Sequence, residues 1–356
     1  MLSPNHLGRI TPEPFRGVRI PYALRGIPES HFARLLPLQD PPRSGDVALA
    51  RLESIGKNAR LELADGRPSS LHQGDRIAVV FGNRYASSQF EGYARAKGDA
   101  CDLLSMGGVC GVCESKHDKV LEPSRLRLLG SVGDAEGRPL RLADYALPSI
   151  PLRDRPRIVA VCGSAMDVGK TYTAMSVILG LRQEDRPVAG IKLTGTASGR
   201  DVWSMRDAGA RPALDFVDGG LPSTYLSTLE ELLALHELLL AHAAAQGAGW
   251  VVIEIADGLL QGETSALLQS RRFTDTIDAW VFACGDALAA AGGVDILRGW
   301  GLEPVAMSGV ISMSPLCMRE AVARTGIPCV TSAAMQRGEL NERLSRSVRE
   351  RVAVAP

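Results

Sequence analysis

A chain of 356 residues with 40 basic and 40 acidic side chains, 45% hydrophobic and 22% charged, has room for about two domains with cores of their own and carries no net charge. That balance gives no support to a nucleic-acid or membrane-surface partner, while leaving room for a local basic patch. No apolar run is long enough to span a bilayer, and the opening Met1-Leu-Ser-Pro-Asn-His-Leu-Gly-Arg-Ile10 lacks an apolar signal core, so a cytoplasmic location is expected. Seven cysteines, scattered and odd in number, fit reduced thiols rather than a disulfide framework.

Residues 1–44 are rich in proline with little periodicity and are expected to form an extended arm wrapped on one domain. From 45 to 146 short β-type runs alternate with turn signals: Asp46-Val-Ala-Leu-Ala-Arg-Leu52, Ala59-Arg-Leu-Glu-Leu63, then Ala64-Asp-Gly-Arg67, then Arg76-Ile-Ala-Val-Val-Phe81. They predict a small, mostly-β, barrel-like domain. After the last of these runs, Arg84 and Tyr85 read either as a turn with a structural tyrosine or as an anchor for an anionic or planar group. Cys101, Cys110-Gly-Val-Cys113 and His117 offer ligand spacing for Zn²⁺, centred on Cys110 and Cys113. The same cysteines also read as small residues packing inward from an alternating strand, and Cys162, Cys284, Cys317 and Cys329 as residues in or beside apolar core runs. Three prolines and three charges mark residues 147–156 as a linker.

From 157 to 356 the pattern changes to strand, helix, strand, which predicts an α/β doubly wound parallel sheet. Strands are expected at Ile158 to Cys162, Val188 to Leu193, Ala213 to Val217, Trp250 to Ile255, Ala279 to Cys284 and Pro304 to Ile311, with a short one at Cys329 to Thr331. The clearest helix runs from Thr228 to Ala245; His236 lies on its apolar stripe and His242 beyond it, both read as structural. Between the first strand and the helix from Lys170 to Leu181 stands Gly163-Ser164-Ala-Met-Asp167-Val168-Gly169-Lys170-Thr171, followed by Tyr172. Glycines let such a loop wrap a phosphate, backbone N–H groups and the helix N-terminus supply positive charge, Lys170 reaches the terminal phosphates and the Thr171 hydroxyl holds Mg²⁺. The loop is one residue longer than the common G-x-x-x-x-G-K-[ST] pattern. The fourth strand, Trp250-Val-Val-Ile-Glu254, stays apolar until its acidic end, as a strand that presents a Mg²⁺ ligand does, and Asp257 follows it. Lys192 ends the second strand before Thr194-Gly195-Thr196. Asp201 reads equally as a carboxylate at the same edge or as a helix cap, and Asp215, Asp218, Ser223, Thr224 and Tyr225 as a pocket lining or a turn-rich loop.

The long loop ending Asp-Val-Gly-Lys-Thr resembles that of dethiobiotin synthetase and its relatives in the P-loop superfamily, whose loops end in Gly-Val-Gly-Lys-Thr. Ile191-Lys192-Leu193-Thr194-Gly195 resembles that family's Lys-Pro-Val-x-Thr-Gly segment with leucine in place of proline, and Glu254 matches the glutamate of its Val-Glu-Gly-Ala-Gly-Gly segment. Asp257 has no counterpart there, and Ser312 stands where the relatives carry an asparagine that reads adenine. The resemblance covers residues 156 to 335 and leaves the β domain aside. It implies a small-molecule ligase or kinase using ATP, with GTP as the other candidate, and Mg²⁺. Lys170 and Lys192 would act on phosphate and acyl phosphate, Glu254 and Thr171 on the metal, Ser312 on the base, and Thr194, Gly195 and Thr196 on the substrate side, where Asp201 and Asp257 are candidates by their position at the same edge and not by the resemblance. It also implies a homodimer. The rival readings are a nucleotide-switched GTPase that delivers a metal through Cys110 and Cys113, a polynucleotide kinase, against which the absence of a basic, aromatic stripe argues, and a nucleotide-binding regulatory module without turnover.

Overall fold

The structure, a computed structural model, describes residues 13–183 and 187–354. Contacts divide the chain into two compact units. The first takes residues up to Arg84, Gln89–Ala146 and Gly220–Pro222; the second takes Tyr85–Ser88, Leu147–Gly219 and the residues from Ser223 onward. No helix among the described residues is long and apolar enough to cross a membrane.

The first unit carries β1 (Arg34–Leu36), β2 (Val47–Ser54), β3 (Arg60–Glu62), β4 (Pro68–Ser70), β5 (Arg76–Phe81), the start of β6 (Arg84–Tyr85), β7 (Phe90–Tyr93), β8 (Ala100–Leu103), β9 (Val109–Lys116) and β10 (Ser124–Gly133). The pairings β2 with β5, β5 with β9, β9 with β8, β8 with β10 and β10 with β2 close a ring of five strands, in which β5 and β9 alone run parallel among the described residues. Alternation drives the closure. In β10, Leu126 and Leu128 are buried while Arg125 and Arg127, which alternate with them, are exposed, and the register shifts along this strand bend it enough to serve β1, β2 and β8. The barrel core gathers Leu52, Ile77, Val79, Phe81, Leu103 and Leu126.

Of the arm expected over 1–44, residues 1–12 lie outside the described residues. The remainder is not merely extended: it makes turns at Glu13–Phe15, Tyr22–Leu24 and Glu29–His31, and β1 pairs with β10. Tyr22, Leu24 and Phe32 are buried, too far apart in sequence to register as a periodic pattern.

The second unit alternates β11 (Arg157–Gly163), α1 (Lys170–Arg182), β12 (Val188–Lys192), α2 (Arg200–Asp207), β13 (Ala213–Asp215), α3 (Leu229–Ala245), β14 (Trp250–Glu254), α4 (Gly262–Gln269), α5 (Arg271–Thr274), β15 (Ala279–Ala283), α6 (Ala287–Gly299), β16 (Pro304–Ser308), α7 (Pro315–Thr325), α8 (Ser332–Gln336) and α9 (Asn341–Val354). The described strands form a six-stranded parallel sheet in the order β13, β12, β14, β11, β15, β16. The chain leaves β11 towards β12 on one side and later crosses to β15 on the other. The carboxyl end of β11 is therefore the switch point of the sheet, where an open α/β fold binds its ligand.

Several strands end earlier than their apolar runs suggest. β13 stops at Asp215 because its carboxylate accepts the Val217 N–H while Asp218 accepts that of Asp215, closing a turn. β16 stops at Ser308 because Gly309, at φ 92 and ψ −153, turns the chain into a single 3-10 turn. Cys329 makes only an isolated bridge to Met307, since Thr331 already caps α8.

On α3, fixed at its start by the Thr228 and Glu231 capping box, His236 packs edge-on against Phe273 at 4.9 Å and meets the Thr276 hydroxyl at 3.0 Å. Burial lowers it from 6.5 to about 4, so it is neutral in the folded protein. Its contribution is complete above pH 6.5, where neither state binds the proton, and is lost as pH falls from there towards 4 because only the unfolded chain then protonates. Denaturant titration between pH 7 and 4.5 is expected to show about 2–3 kcal/mol of acid destabilisation that His236→Leu lacks. Equal acid sensitivity in the two proteins would assign the effect elsewhere.

Candidate functional site

Gly163 ends β11, and the loop that follows is held from three sides. Ser164 N–H donates to Ala283 O at 2.9 Å, and Val310 N–H donates to Val168 O at 3.0 Å. A side-chain carbon on Gly258 would lie 2.5 Å from Ser164 O, and one on Gly309 would lie 2.3 Å from Val168 O, so both neighbouring turns press bare backbone against the loop. Asp167, the residue within the longer loop at φ 63, accepts a hydrogen bond from Ser88 Oγ at 2.9 Å. Gly169 takes φ 94 and opens α1 with no side-chain cap. The first amides of α1 are thus left for an anion, with the helix dipole behind them.

Gly309 is the most exacting of these positions, since its backbone region is essentially restricted to glycine and a methyl group there strikes the loop. Gly309→Ala is expected to cost about 1–3 kcal/mol and to weaken nucleotide binding in parallel. A variant with unchanged melting temperature and unchanged affinity by calorimetry would show that this turn does not shape the loop.

Lys170 is buried, its stem crosses Gly163, and its Nζ donates to Ala165 O at 2.6 Å. Burial lowers its ammonium from the ordinary value, against the pull of Glu254 and the smaller pull of Asp257. Thr171, one residue on, places Oγ1 2.8 Å from Glu254 Oε1 and 3.0 Å from Asp201 Oδ1. The register of β12 and β14 sets Lys192 directly beside Glu254. Lys192 Nζ bonds Asp201 and lies 3.3 Å from Glu254 Oε1. Burial by itself would lower Lys192, but the two carboxylates outweigh it and hold the ammonium well above its usual range. Burial likewise opposes the charge on Asp201, whose carboxyl is nevertheless held below its ordinary value by Lys192; burial pushes Glu254 up.

Glu254 is 1% exposed, and its Oε2 is buried without a hydrogen-bond partner. An orphaned, buried carboxylate oxygen beside a hydroxyl and a second carboxylate is a hard-oxygen donor set of the kind Mg²⁺ takes. Thr171, Asp201 and Glu254 therefore fit the ion. Asp201, which sequence left open as a substrate-side carboxylate or a cap, is brought beside Thr171 and Lys192, and Gly199 takes the cap position of α2.

The Thr194-Gly195-Thr196 segment after β12 is braced. Thr194 Oγ1 accepts the Ala256 N–H at 2.8 Å, Gly195 N–H donates to Thr224 Oγ1 at 2.8 Å, and Thr196 bridges Ser223. Gly195 lies over the Lys192 stem, with a would-be side-chain carbon 3.1 Å from Cε. Asp257 sits at φ 63 just before Gly258. Tyr172 is exposed on α1. Ser312 turns its hydroxyl back onto Gly309 O at 2.7 Å, so it supports the turn that braces the loop. Tyr85 packs near Tyr225 at 5.5 Å, while Arg84 is buried and spends its guanidinium on Leu104 O and Gln89.

Cys110 and Cys113 part company because residues three apart in a strand face opposite ways. Cys110 lies in the barrel core, where burial raises its thiol well above the ordinary value. Cys113 is half-buried on the other face, raised first by burial and then by Asp102. Among the described residues no group of three or more histidine, cysteine, aspartate or glutamate side chains could hold a metal ion, so the pair does not build the Zn²⁺ site its spacing suggested.

No protein family and no curated protein matches this sequence. Among solved structures the chain is similar to the signal recognition particle 54 kDa protein of Aeropyrum pernix K1 in complex with GDP, at 15% identity and TM-score 0.37, covering 60% of this chain and 54% of that one. It is also similar to the signal recognition particle receptor FtsY of Elizabethkingia anophelis in complex with GDP (14%, TM-score 0.34, 51% and 58%) and to the cell division protein FtsY of Thermotoga maritima (14%, TM-score 0.34, 53% and 66%). The matched part spans between about half and two thirds of those proteins. The P-loop fold of the second unit rests on its own strand order and on the loop between β11 and α1.

Proposed function

We propose that this protein is a Mg²⁺-dependent phosphoryl-transfer enzyme that acts on an anionic small molecule, with ATP as donor. The observation that carries the reading is Lys192, a buried lysine placed by strand register beside the acidic pair at the switch point. A transfer site needs positive charge on both sides of the moving group, and Lys192 would supply it on the side away from Lys170.

When bound, the nucleotide would supply the phosphoryl group and Mg²⁺ would offset its charge. Lys170 and the amides opening α1 would hold phosphate oxygens, and Thr171, Asp201 and Glu254 would hold the ion. Lys192, with the Thr194-Gly195-Thr196 turn beside it, would bind and orient an anionic acceptor such as a carboxylate or carbamate. That assignment follows the resemblance to dethiobiotin synthetase in the loop, the Lys192 segment and Glu254. Neutral net charge favours a small-molecule acceptor over nucleic acid.

Calorimetry with ATP and GTP in parallel, with Mg²⁺ present, is the first test. Selective ATP binding, followed by phosphate release that rises when small carboxylates and amines are added, supports transfer. GTP selectivity without any acceptor effect would replace it with a nucleotide-switched GTPase, and binding of neither would remove the nucleotide from the reading altogether.

A further inference from the structure

The ammonium of Lys192 occupies the oxygens that a divalent ion would need. It bonds Asp201 Oδ2 and stands 3.3 Å from Glu254 Oε1, while the other Asp201 oxygen and that same Glu254 oxygen face the Thr171 hydroxyl. Its side chain is 10% exposed, that of Glu254 2% and that of Asp201 19%, so water screens the Lys192–Glu254 pair little and Asp201 somewhat more. The positive charge the acidic pair requires is thus already provided from within the chain. A divalent ion entering the same group of oxygens would sit within about 4 Å of the ammonium, where like charges repel strongly in a poorly screened site.

The ammonium can yield only by side-chain motion. Backbone pairing of β12 with β14 fixes Lys192 beside Glu254, and Gly195 lies against its Cε. The remaining Glu254 oxygen is buried and unpartnered, so the acid has donor capacity that the lysine does not use.

We infer that Lys192 is an internal cation that holds the metal site closed until nucleotide arrives. Without nucleotide its ammonium satisfies Asp201 and Glu254 and excludes the divalent ion. Phosphate oxygens at the loop offer the ammonium an alternative partner, and its departure opens the acidic pair to the ion. Metal and nucleotide therefore bind with positive coupling, each raising the affinity of the other by the same factor. The inference rests on the Mg²⁺ and nucleotide reading of this site and adds an order of assembly to it.

The test is Mn²⁺ binding to the full chain at neutral pH, read from the paramagnetic resonance of the free ion, first without nucleotide and then with ATP or GTP. Wild type is expected to bind Mn²⁺ weakly alone and about tenfold or more tightly with nucleotide. Lys192→Met should bind Mn²⁺ about tenfold more tightly than wild type without nucleotide, with little further gain when it is added, and Lys192→Arg should behave as wild type does. Equal nucleotide-free binding by wild type and Lys192→Met overturns the inference. Should Lys192→Met fail to fold by circular dichroism, the wild-type protein decides: nucleotide-free Mn²⁺ affinity as high as that with nucleotide overturns it equally. A protein that binds no nucleotide would sink the phosphoryl-transfer reading, while the nucleotide-free comparison of wild type with Lys192→Met would still report on exclusion.

Discussion

Lys170→Ala is expected to lower nucleotide turnover by about 10²–10³-fold, the loss typical of removing one preorganised charge-stabilising donor from a transfer site. The ammonium is held at the loop by a bond to Ala165 O and by a stem lying across Gly163, so it needs little reorganisation to meet a phosphate oxygen. Burial already disfavours its charge, and a phosphate restores the missing partner. The fold should survive, because the variant gives up a single bond worth about 1 kcal/mol together with an ammonium whose charge is costly to bury. Steady-state phosphate release and a thermal melt measured on the same preparation check both halves. Retained turnover would remove the loop from the chemistry, and a collapsed melt would make Lys170 a structural residue.

Glu254→Gln is expected to lower turnover by about 10²-fold and to move the Mg²⁺ dependence to at least about tenfold higher concentration, because a hard cation loses an anionic oxygen while the side chain keeps its shape. Stability should change little or rise. Lys192 keeps Asp201 as its partner, and the variant removes a fully buried charge with one unsatisfied oxygen. A Mg²⁺ titration of activity beside a melting curve separates the two effects. An unchanged metal response would return Glu254 to the role of a strand-end charge satisfied by Lys192 and Thr171.

Much of this site was legible because its chemistry is local in the chain. Loop, lysine and threonine lie within nine consecutive residues, and both Lys192 and Glu254 end apolar runs whose length already marks them as buried strands. Asp201 was ambiguous for the opposite reason. Its neighbours in sequence describe only a helix start, and its meaning depends on Thr171 and Lys192, thirty and nine residues away. The cysteine pair misled because ligand spacing and strand alternation predict different things for the same residues. The barrel core claimed Cys110, and the pleat turned Cys113 the other way.

By itself, then, the sequence determined the α/β character of the second unit, the β character of the first, the phosphate loop, and two of the charged groups at its edge, since periodicity and motif spacing depend on near neighbours. Tertiary structure alone decided which five strands of the first unit close the expected barrel, and in what order, and that the turns at Gly258 and Gly309 grip the loop. It alone decided that Lys192, Asp201, Glu254 and Thr171 form one electrostatic group. The physical reason is strand order and register. A parallel sheet that places β12 and β14 side by side brings together residues 62 positions apart, and no local pattern records which strands will be neighbours.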